Sequence, residues 1–396
     1  MTELGVGDVV DVTLDRVAHG GHVVGRVDGR VLFVRHGLPG ETVTARVTEI
    51  GSRGRYLRAD AIAVLTPSPD RVAPPCPLAG PGGCGGCDFQ HASLPAQRRY
   101  KEAVLVEQMA RLAGLDVDVV VEELPGADGL GWRTRMRLAV TADGAAGLHR
   151  HRSDEVIATP QCLLAHPLLR DSGALTQPWP GAQTVEAAAS AATGEVAVVV
   201  DGEPAIGPSR LQEVVGERTF RVHGLGFWQV HPAAAGVLAE AVKSAADVIP
   251  GERVADLYAG VGLFAAFLAE AAGSSGRVEV VESAAQAVRD AKRNLHDLPQ
   301  ARLHCARVAD WLRGTDESFD VCVLDPPRSG AGPKTARQIA ERTRRRIVYV
   351  ACDPAALARD TAVLLEHGWT LSGLRGFDAF PMTHHVEAVA WFDRAA

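Results

Sequence analysis

One turn of the sequence carries a thiol at a place where α/β proteins keep reactive groups. In YVACDPAALARD, residues 349–360, an apolar strand runs into a helix, and Cys352 lies in the turn between them. A cysteine just before a helix N-terminus is favoured as the thiolate, because the unpaired N–H groups and the helix dipole stabilise negative charge. Cys352 is therefore a candidate nucleophile.

A second candidate is the acid in HHVEAVA, near the end of the sequence. Glu387 follows His385 in a strand that is otherwise apolar. A carboxylate that faces a cleft serves as a general base. By strand alternation Glu387 would equally well face solvent, with Val386 and Ala388 turned inward. The residues alone leave both interpretations open.

Four further cysteines have spacings that suit a metal site. Cys76, Cys84 and Cys87 form C-x7-C-x2-C, and Cys162 follows much later in TPQC. The chain has 7 cysteines, an odd number, which favours ligation or catalysis over a disulfide framework. Four thiolates suit zinc or an iron–sulfur cluster, although structural zinc sites commonly repeat a close pair that occurs only once here.

A basic segment runs from residue 132 to residue 152 and contains a single acid, Asp143. Its first three arginines alternate as if on one face of a strand. A solvated strand face explains them about as well as a phosphate-binding face. The net charge of the chain is −7, so any nucleic-acid site must be a local patch. The candidate RNA-binding residues are Arg133, Arg135, Arg137, Arg150 and Arg152.

The elements that position these residues fall into three parts, as expected for a chain of 396 residues. Residues 1–65 contain short β-branched runs broken by glycine and proline, which predict a small barrel. After a proline-rich linker, residues 70–225 hold the cysteine cluster, one amphipathic helix and several strands. In residues 226–396 strands alternate with helices, which predicts a parallel, doubly wound sheet. The predicted class is a multidomain α/β protein.

The glycine-rich loop DLYAGVGLFAA follows the first strand of the third part. Gly260 and Gly262 let the backbone approach a cofactor at a helix N-terminus, but with Ala265 they also match a nicotinamide-binding pattern. Glu282, at the end of the next strand, can bind the ribose of a nicotinamide cofactor or of S-adenosylmethionine equally well. The turn LDPPRSG favours an S-adenosylmethionine site over a nicotinamide site. Asp325 before two prolines fixes a rigid turn that many S-adenosylmethionine-dependent methyltransferases have and dehydrogenases do not need.

The composition favours a soluble cytoplasmic protein. The hydrophobic fraction is 46%, and MTELGVGDVV lacks the pattern of a signal peptide. The most apolar later run, AGVGLFAAFLA, is too short to span a bilayer. We therefore expect a cytoplasmic monomer with no membrane contact.

Seven motifs, in order and spacing, resemble those of the RNA uracil-5-methyltransferase family. They are CGGCDFQH, VIATPQC, GFWQVHP, DLYAGVGLF, VLDPPRSG, ACDPAALARD and FPMTHHVEAVAW. The first sixty-odd residues resemble a TRAM domain, a small RNA-binding barrel. The resemblance covers nearly the whole chain. It implies a TRAM/OB-like barrel, a central α+β iron–sulfur domain and a Rossmann-like class I methyltransferase domain.

The resemblance also implies roles for the two candidate catalytic residues. Uracil C5 is a poor nucleophile, and a thiolate that adds to C6 gives an enolate whose C5 can accept a methyl group. Cys352 matches the family nucleophile, and Glu387 matches the base that removes the C5 proton. The implied activity is methyl transfer from S-adenosylmethionine to C5 of a uridine in RNA. The TRAM-like domain together with the cysteine site favours rRNA over tRNA.

Further residues match the cofactor contacts of the family. Asp310, in VADWL, would meet the adenine amino group. The glycine loop departs from its relatives at Leu263, where many have an asparagine, so this chain has no side-chain amide for the cofactor at that position. The implied cofactor-binding residues are Gln229, Tyr258, Gly260, Gly262, Glu282, Asp310 and Asp325.

Relatives with this cysteine layout carry a 4Fe-4S cluster, so the resemblance implies such a cluster on Cys76, Cys84, Cys87 and Cys162, with zinc as the alternative. The first spacing is longer than is usual in relatives, and CPLAGPGGC would accommodate the difference as a loop. The cluster would hold the central domain together and help to place the RNA, since methyl transfer itself needs no redox chemistry.

Two alternative functions stay open. RNA cytosine-C5 methyltransferases also use cysteine addition, but they usually place the nucleophile after the fourth strand, where this chain has DPPRSG. A non-catalytic RNA-binding or RNA-folding protein on a methyltransferase scaffold is the alternative from a different class. Intact Cys352 and Glu387 argue against it, whereas Leu263 leaves it open.

Overall fold

The computed structural model describes residues 4–126 and 128–394, with the side chain of Arg53 left out. Its N-terminal part is a closed barrel with the strand order β1-β2-β3-β5-β4. Alternate residues such as Leu32, Val34 and Leu57 point inward and are fully buried. The predicted small barrel is confirmed. Its strands are β1 (Val9–Ala18), β2 (His22–Val27), β3 (Arg30–Arg35), β4 (Thr42–Ile50) and β5 (Tyr56–Thr66).

A loop with three of the cysteines leads from the barrel to helix α1 (Leu94–Gln108). Proline in its first turn suits a helix start, because the N–H groups there have no partner within the helix. The helix ends in a π-helical turn, Met109–Ala113, and in Gly114, which adopts the left-handed conformation. The short strand β6 (Val121–Glu123) follows.

The central part contains a six-stranded antiparallel sheet with the order β12-β11-β10-β7-β8-β9. Its inward face buries Leu138, Val185 and Val198 completely. The elements are β7 (Arg135–Val140), β8 (Ala146–His149), β9 (Val156–Ala158), the short helix α2 (Pro167–Asp171), β10 (Thr184–Ala189), β11 (Val196–Val200) and β12 (Glu203–Ile206). A separate antiparallel hairpin, β13 (Arg210–Val215) and β14 (Arg218–His223), comes next.

The C-terminal part is an eight-stranded sheet with the order β17-β16-β15-β18-β19-β21-β20-β6. The strands are β15 (Arg253–Leu257), β16 (Arg277–Glu282), β17 (Ala301–Cys305), β18 (Phe319–Leu324), β19 (Thr343–Ala351), β20 (Trp369–Asp378) and β21 (Glu387–Arg394). The helices are α3 (Ala234–Ala246), α4 (Leu263–Ala272), α5 (Ala285–Asn294), α6 (Val308–Gly314), α7 (Pro333–Arg342) and α8 (Pro354–Glu366). The predicted doubly wound sheet is confirmed.

Strand direction in this sheet determines where a ligand can bind. The five strands β15 to β19 are parallel, and β21 runs antiparallel between β19 and β20. The strand order reverses at β15, so the crevice beyond its carboxyl end lies between connections that leave in opposite directions. The start of the antiparallel strand β21 lies at the same edge.

The C-terminal sheet takes one strand from outside the predicted range 226–396. Strand β6 pairs in parallel with β20, through Val121 opposite Gly376. The structure therefore differs from the predicted division, in which residues 70–225 formed a central domain of their own. Strand alternation could not reveal this, because the pairing joins segments some 250 residues apart and has no local signature.

No helix in residues 4–126 and 128–394 is both long and apolar enough to cross a membrane.

Candidate active site

Most of the predicted catalytic and cofactor-binding residues lie at one edge of the C-terminal sheet. Tyr258 follows β15, Glu282 ends β16 and Asp325 follows β18. Cys352 follows β19, and Glu387 opens β21 at the same edge because this strand is antiparallel. The fold thus brings together residues that are up to 129 positions apart in the sequence. They meet in the crevice where sheets of this kind bind ligands.

Cys352 and Glu387 lie close together at the ends of two paired strands. Ala351, the last residue of β19, pairs with Ala388 of β21, so Cys352 directly follows this pair and Glu387 directly precedes it. Cys352 is half-buried, whereas Glu387 is only 5% exposed. The carboxylate does not face solvent, so the structure favours a role inside the crevice over the solvated position that alternation also allowed.

The thiol of Cys352 is protonated in the free site. Burial, with the charges of Glu387 and Asp325 adding to it, raises the pKa of Cys352 to about 12. The helix N-terminus does not reverse this, because the side chain of Asp353 caps α8 by accepting the Ala356 N–H at 2.7 Å. The expected preference for the thiolate is therefore outweighed in the free site by burial and by neighbouring acids.

Glu387 has the same tendency to hold its proton. Burial raises its pKa well above the usual range for glutamate, and the charge of Asp325 adds to the effect. Burial alone raises the pKa of Asp325 to about 7. A general base has to be ionised before it accepts a proton, so a positive charge is needed near this group of acids.

Arg328 supplies one such charge, and the sequence analysis did not assign it a role. It lies in the DPPR turn after β18 and lowers the pKa of both Cys352 and Glu387 through its charge. Its Nη2 atom lies 3.4 Å from Nε2 of His385. In the sequence, this role is indicated by a basic residue directly after two prolines at the predicted carboxyl edge of the sheet.

The carboxylate of Glu282 is fixed by backbone N–H groups. Its Oε2 atom accepts a hydrogen bond from Gly260 N at 3.0 Å, and its Oε1 atom accepts one from Ala284 N at 2.6 Å. Gly260 and Gly262 adopt left-handed backbone conformations, with φ of 56° and 88°. This arrangement joins the glycine loop to the end of β16, and the carboxylate retains lone pairs for ribose hydroxyl groups.

Asp256 is a buried acid that the sequence analysis missed. It lies on β15 with 0% exposure. Burial raises its pKa to about 8, and the charges of Asp325 and Glu282 contribute. Three acids thus lie near one another, which suits a positively charged ligand. In the sequence, this buried acid is indicated by an aspartate inside the otherwise apolar strand RVADL.

The remaining predicted cofactor contacts differ in their surroundings. Gln229 is 6% exposed in the loop before α3, and Tyr258 has a left-handed backbone with φ of 63°. Leu263 begins α4 and packs in the core, so it replaces the family asparagine with a packing residue. The carboxylate of Asp310 is half exposed and pairs with Arg313 at 2.5 Å, an ion pair that an adenine contact would have to open.

The four predicted ligand cysteines line one cavity of about 530 Å³. Gly86 N lies 3.4 Å from the Cys84 sulfur, and Gln90 Nε2 lies 3.1 Å from the Cys87 sulfur, as donors to a ligand sulfur would. Within the described residues, however, no three His, Cys, Asp or Glu side chains are close enough together to hold a metal ion directly. The cavity joins the loop after the barrel to residue 162 of the central part.

The five arginines predicted to bind RNA do not form one surface. Arg135 does not face solvent, because its side chain is only 11% exposed and its Nη1 atom donates to Gly226 O at 2.7 Å. It also lies 3.6 Å from Glu213, so this arginine stabilises the β7–β13 contact instead of facing RNA. Arg137 is 71% exposed, whereas Arg133 lines the cysteine cavity. Strand alternation placed the three on one face, but Arg133 precedes β7 and the β13–β14 hairpin contacts Arg135.

Comparisons with known proteins show which proteins the chain resembles. Residues 230–395 match the family model described as tRNA (Uracil-5-)-methyltransferase, and residues 3–62 match the TRAM domain model. An uncharacterized RNA methyltransferase of Streptomyces avermitilis is 44% identical over 99% of this chain and 99% of its own length. A second, from Bifidobacterium longum, is 39% identical over 97% of this chain and 96% of its own length.

The chain belongs to the RNA uracil-5-methyltransferase family. Its fold matches that of a crystal structure of a Pyrococcus abyssi tRNA (uracil-54, C5)-methyltransferase in complex with S-adenosyl-L-homocysteine, with a TM-score of 0.72 and 21% sequence identity. The match covers 97% of this chain and 100% of the archaeal one. The family assignment confirms the resemblance noted in the sequence and makes the protein an S-adenosylmethionine-dependent RNA methyltransferase.

Proposed function

We propose that this enzyme methylates C5 of a uridine in RNA through a covalent adduct, with Cys352 as nucleophile and Glu387 as base. The observation that carries the proposal is the position of these two residues, Cys352 directly after β19 and Glu387 at the start of its partner strand β21, at the ligand-binding edge of the sheet. Asp325 and Arg328 lie beside both groups and act on their ionisation.

The two residues act in sequence. The Cys352 thiolate forms a bond to C6 of the uracil ring, which places electron density on C5. S-adenosylmethionine, when bound beside Glu282 and Asp325, supplies an electrophilic methyl group for that carbon. Glu387 then takes the C5 proton, the electron pair reforms the C5–C6 double bond, and the bond between sulfur and C6 breaks. The Cys352 thiolate is released for the next turnover.

Ligand binding has to shift the ionisation of both groups, because burial raises the pKa of Cys352 and of Glu387 in the free site. Any positive charge that enters near Asp256 and Asp325 stabilises a thiolate at Cys352 and a carboxylate at Glu387, and therefore lowers both pKa values. Arg328 contributes in the same direction from the other side. A buried, protonated resting state keeps the thiol unreactive until substrate and cofactor are in place.

Two variants separate the roles of the catalytic pair. Glu387→Gln should add to the RNA and transfer the methyl group, but stall before elimination, because an amide of nearly the same shape cannot accept the proton. Cys352→Ala should form no adduct. On denaturing gels with methyl-labelled cofactor we expect a slow, labelled protein–RNA band for Glu387→Gln only. Normal turnover by Glu387→Gln, or a labelled band from Cys352→Ala, would show that the roles are assigned wrongly.

The target is proposed only as a class, a uridine in rRNA or tRNA. The TRAM domain together with the cysteine motif supports rRNA, whereas the description of the matching family model names tRNA. Nucleoside analysis of separated rRNA and tRNA from a deletion strain distinguishes the two. Loss of 5-methyluridine from one fraction identifies the target, and no loss from either contradicts the proposed activity.

We also propose that Cys76, Cys84, Cys87 and Cys162 hold a 4Fe-4S cluster, with zinc as the alternative. Support comes from the shared cavity of about 530 Å³ and from the N–H groups that point at two of the sulfurs. When bound, such a cluster would crosslink the two chain segments and serve a structural role. Anaerobically purified protein should be brown, with broad absorption at about 400 nm from thiolate-to-iron charge transfer. Colourless protein with stoichiometric zinc would establish the alternative.

A further inference from the structure

The loop between β20 and β21 leads directly into the proposed base. We call residues 379–386 the base loop; Glu387 follows it as the first residue of β21. The backbone of Glu387 pairs with Phe377 of β20, but the base loop itself lies outside the strands. Contacts from elsewhere in the molecule must therefore fix the direction in which the chain enters β21.

The segment after Cys87 supplies such contacts to the middle of the base loop. The backbone N–H groups of Asp88 and Phe89 both donate to Met382 O, at 2.9 and 3.0 Å. On α1, the side-chain oxygen of Gln97 accepts a hydrogen bond from Met382 N at 2.7 Å. Met382 has a φ of 67°, a left-handed conformation that is costly for a residue with a side chain. These hydrogen bonds hold the loop in that conformation.

The side chain of Asp88 contacts the base loop closer to the base, three residues before Glu387. Its Oδ2 atom accepts hydrogen bonds from His384 Nδ1 at 2.6 Å and from His384 N at 3.1 Å. A carboxylate can only accept hydrogen bonds, so Nδ1 of His384 carries a hydrogen. The Asp88 side chain is only 9% exposed, and Arg35 Nη2 lies 3.4 Å from its other oxygen. The carboxylate is thus buried, balanced by a cation and aimed at one histidine.

The turn between β1 and β2 packs directly over this contact. Gly21 has a φ of 77°, and a Cβ atom there would lie 3.0 Å from Cβ of His384 and 3.1 Å from Cβ of Asp88. Only a residue without a side chain fits at this position. The close packing leaves the His384 imidazole little room to turn away from Asp88.

On its other side, His384 contacts the groups around the catalytic pair. Its ring centre lies 4.1 Å from that of His385, and Nε2 of His385 lies 3.4 Å from Arg328 Nη2. Burial first, with the charges of His384 and Arg328 adding to it, lowers the pKa of His385 to about 3. A neutral ring can accept a hydrogen bond from Arg328 at Nε2. The contacts that begin at Asp88 therefore end at a side chain beside Glu387.

We propose that Asp88 and His384 are positioning residues that hold the base loop, so that the Glu387 carboxylate reaches the C5 proton of the methylated ring. In that step Glu387 takes the proton, the C5–C6 double bond forms and the bond between sulfur and C6 breaks. Cys352 lies on another strand, next to a helix cap of its own. Loss of the contact should therefore slow elimination more than adduct formation. This inference rests on the proposed function, which gives Glu387 its role.

The test compares His384→Leu with His384→Asn in the full-length protein. Leucine and asparagine have nearly the same shape, but only asparagine can place an N–H group where Nδ1 of the histidine lies. Single-turnover reactions use methyl-labelled S-adenosylmethionine and total RNA from a deletion strain, which contains the unmodified target. Denaturing gels follow the labelled protein–RNA adduct over time.

We expect the labelled adduct to form at the wild-type rate in both variants and to accumulate only in His384→Leu. Elimination should be roughly tenfold slower in that variant, because it lacks the charge-assisted hydrogen bond to Asp88. His384→Asn should release its product at close to the wild-type rate. His296→Leu, an exposed change on the far edge of the sheet, is the matched control and should behave like the wild type.

The outcomes distinguish this proposal from the proposed function. Wild-type elimination in His384→Leu would overturn the positioning role, as would equally slow elimination in His384→Leu and His384→Asn. Slower adduct formation without accumulation would also overturn it, because the contact would then act on the whole site. Glu387→Gln, assayed in parallel, tests the proposed function by itself: if it accumulates no adduct, Glu387 is not the base, whatever the His384 variants do. His384→Phe keeps a ring without the N–H group and replaces His384→Leu in the comparison if that variant does not fold.

Discussion

At the residue scale, the sequence predicts a nucleophile and a base in Cys352 and Glu387, but it does not predict how their surroundings shift their pKa values. Cys352 and Glu387 could be recognised from a strand–turn–helix pattern, an isolated acid and the family resemblance. Burial and the charge of Asp325 raise both pKa values, Glu387 also raises that of Cys352, and Arg328 lowers both. Only the packed sheet brings these groups together. Propensities and motifs carry no information on such electrostatic coupling, because it arises between residues distant in the sequence.

The raised pKa of Glu387 predicts a pH-dependent cost to stability. A buried acid whose pKa lies above its unfolded value, about 4.3, gives stability that is fully present below that value and is lost as pH rises towards the native pKa. Glu387→Gln removes this loss. We expect its melting temperature to exceed that of the wild type by roughly 1 to 3 °C at about pH 8 and to match it at about pH 4.

A neutral substitution of an exposed acid provides the control for this prediction. Glu366→Gln, at the end of α8, makes the same chemical change on the surface, and its melting curve should follow that of the wild type at both pH values. Differential scanning fluorimetry across the pH range is the measurement. A Glu387→Gln variant that is less stable than the wild type at about pH 8 would mean that the carboxylate is ionised and stabilised in the free site.

At the element scale, helix α1 could be predicted from its amphipathic pattern, but its partners could not. The structure packs it against β6 and α8 of the C-terminal sheet. Lys101, on its buried face, is 1% exposed and pairs with Asp378 at the end of β20, with 2.5 Å between Nζ and Oδ1. A lysine in an amphipathic helix normally faces solvent, so the pattern gave no sign of a buried ion pair.

Removing one partner of this ion pair should destabilise the protein strongly. Lys101→Met leaves the Asp378 carboxylate buried without its cation, a change that typically costs about 3 to 5 kcal/mol. Urea unfolding should show this as a lower midpoint. The double variant Lys101→Met/Asp378→Leu should recover most of the loss, because no unpaired charge then remains buried. Lys243→Met, on exposed α3 surface, is the control and should change the midpoint little. A small effect of Lys101→Met would show that Asp378 takes up a proton at low cost.

At the scale of the whole molecule, the sequence predicted the N-terminal barrel and the doubly wound C-terminal sheet. What it could not predict is how the parts meet, because such contacts depend on side chains hundreds of residues apart. The β1–β2 turn of the barrel reaches the N-terminus of α8, where His19 Nε2 lies 3.0 Å from Asp353 Oδ2. A side chain at Gly21 in the same turn would lie 3.0 Å from Cβ of His384, so the backbones approach closely here.

This contact predicts that the barrel influences the catalytic step as well as RNA binding. Asp353 caps α8 and directly follows Cys352, so a hydrogen bond from His19 helps to fix the loop that carries the nucleophile. His19→Phe removes one hydrogen bond, worth about 0.5 to 1.5 kcal/mol, and should slow covalent adduct formation roughly 2- to 10-fold. The adduct is measured in single-turnover gels in the Glu387→Gln background. His19→Gln keeps a donor and should restore much of the rate, whereas His296→Phe, an exposed change on the far edge of the sheet, should have no effect. Equal adduct rates in the Glu387→Gln protein with and without His19→Phe would mean that the barrel only binds RNA and that the C-terminal sheet alone positions Cys352.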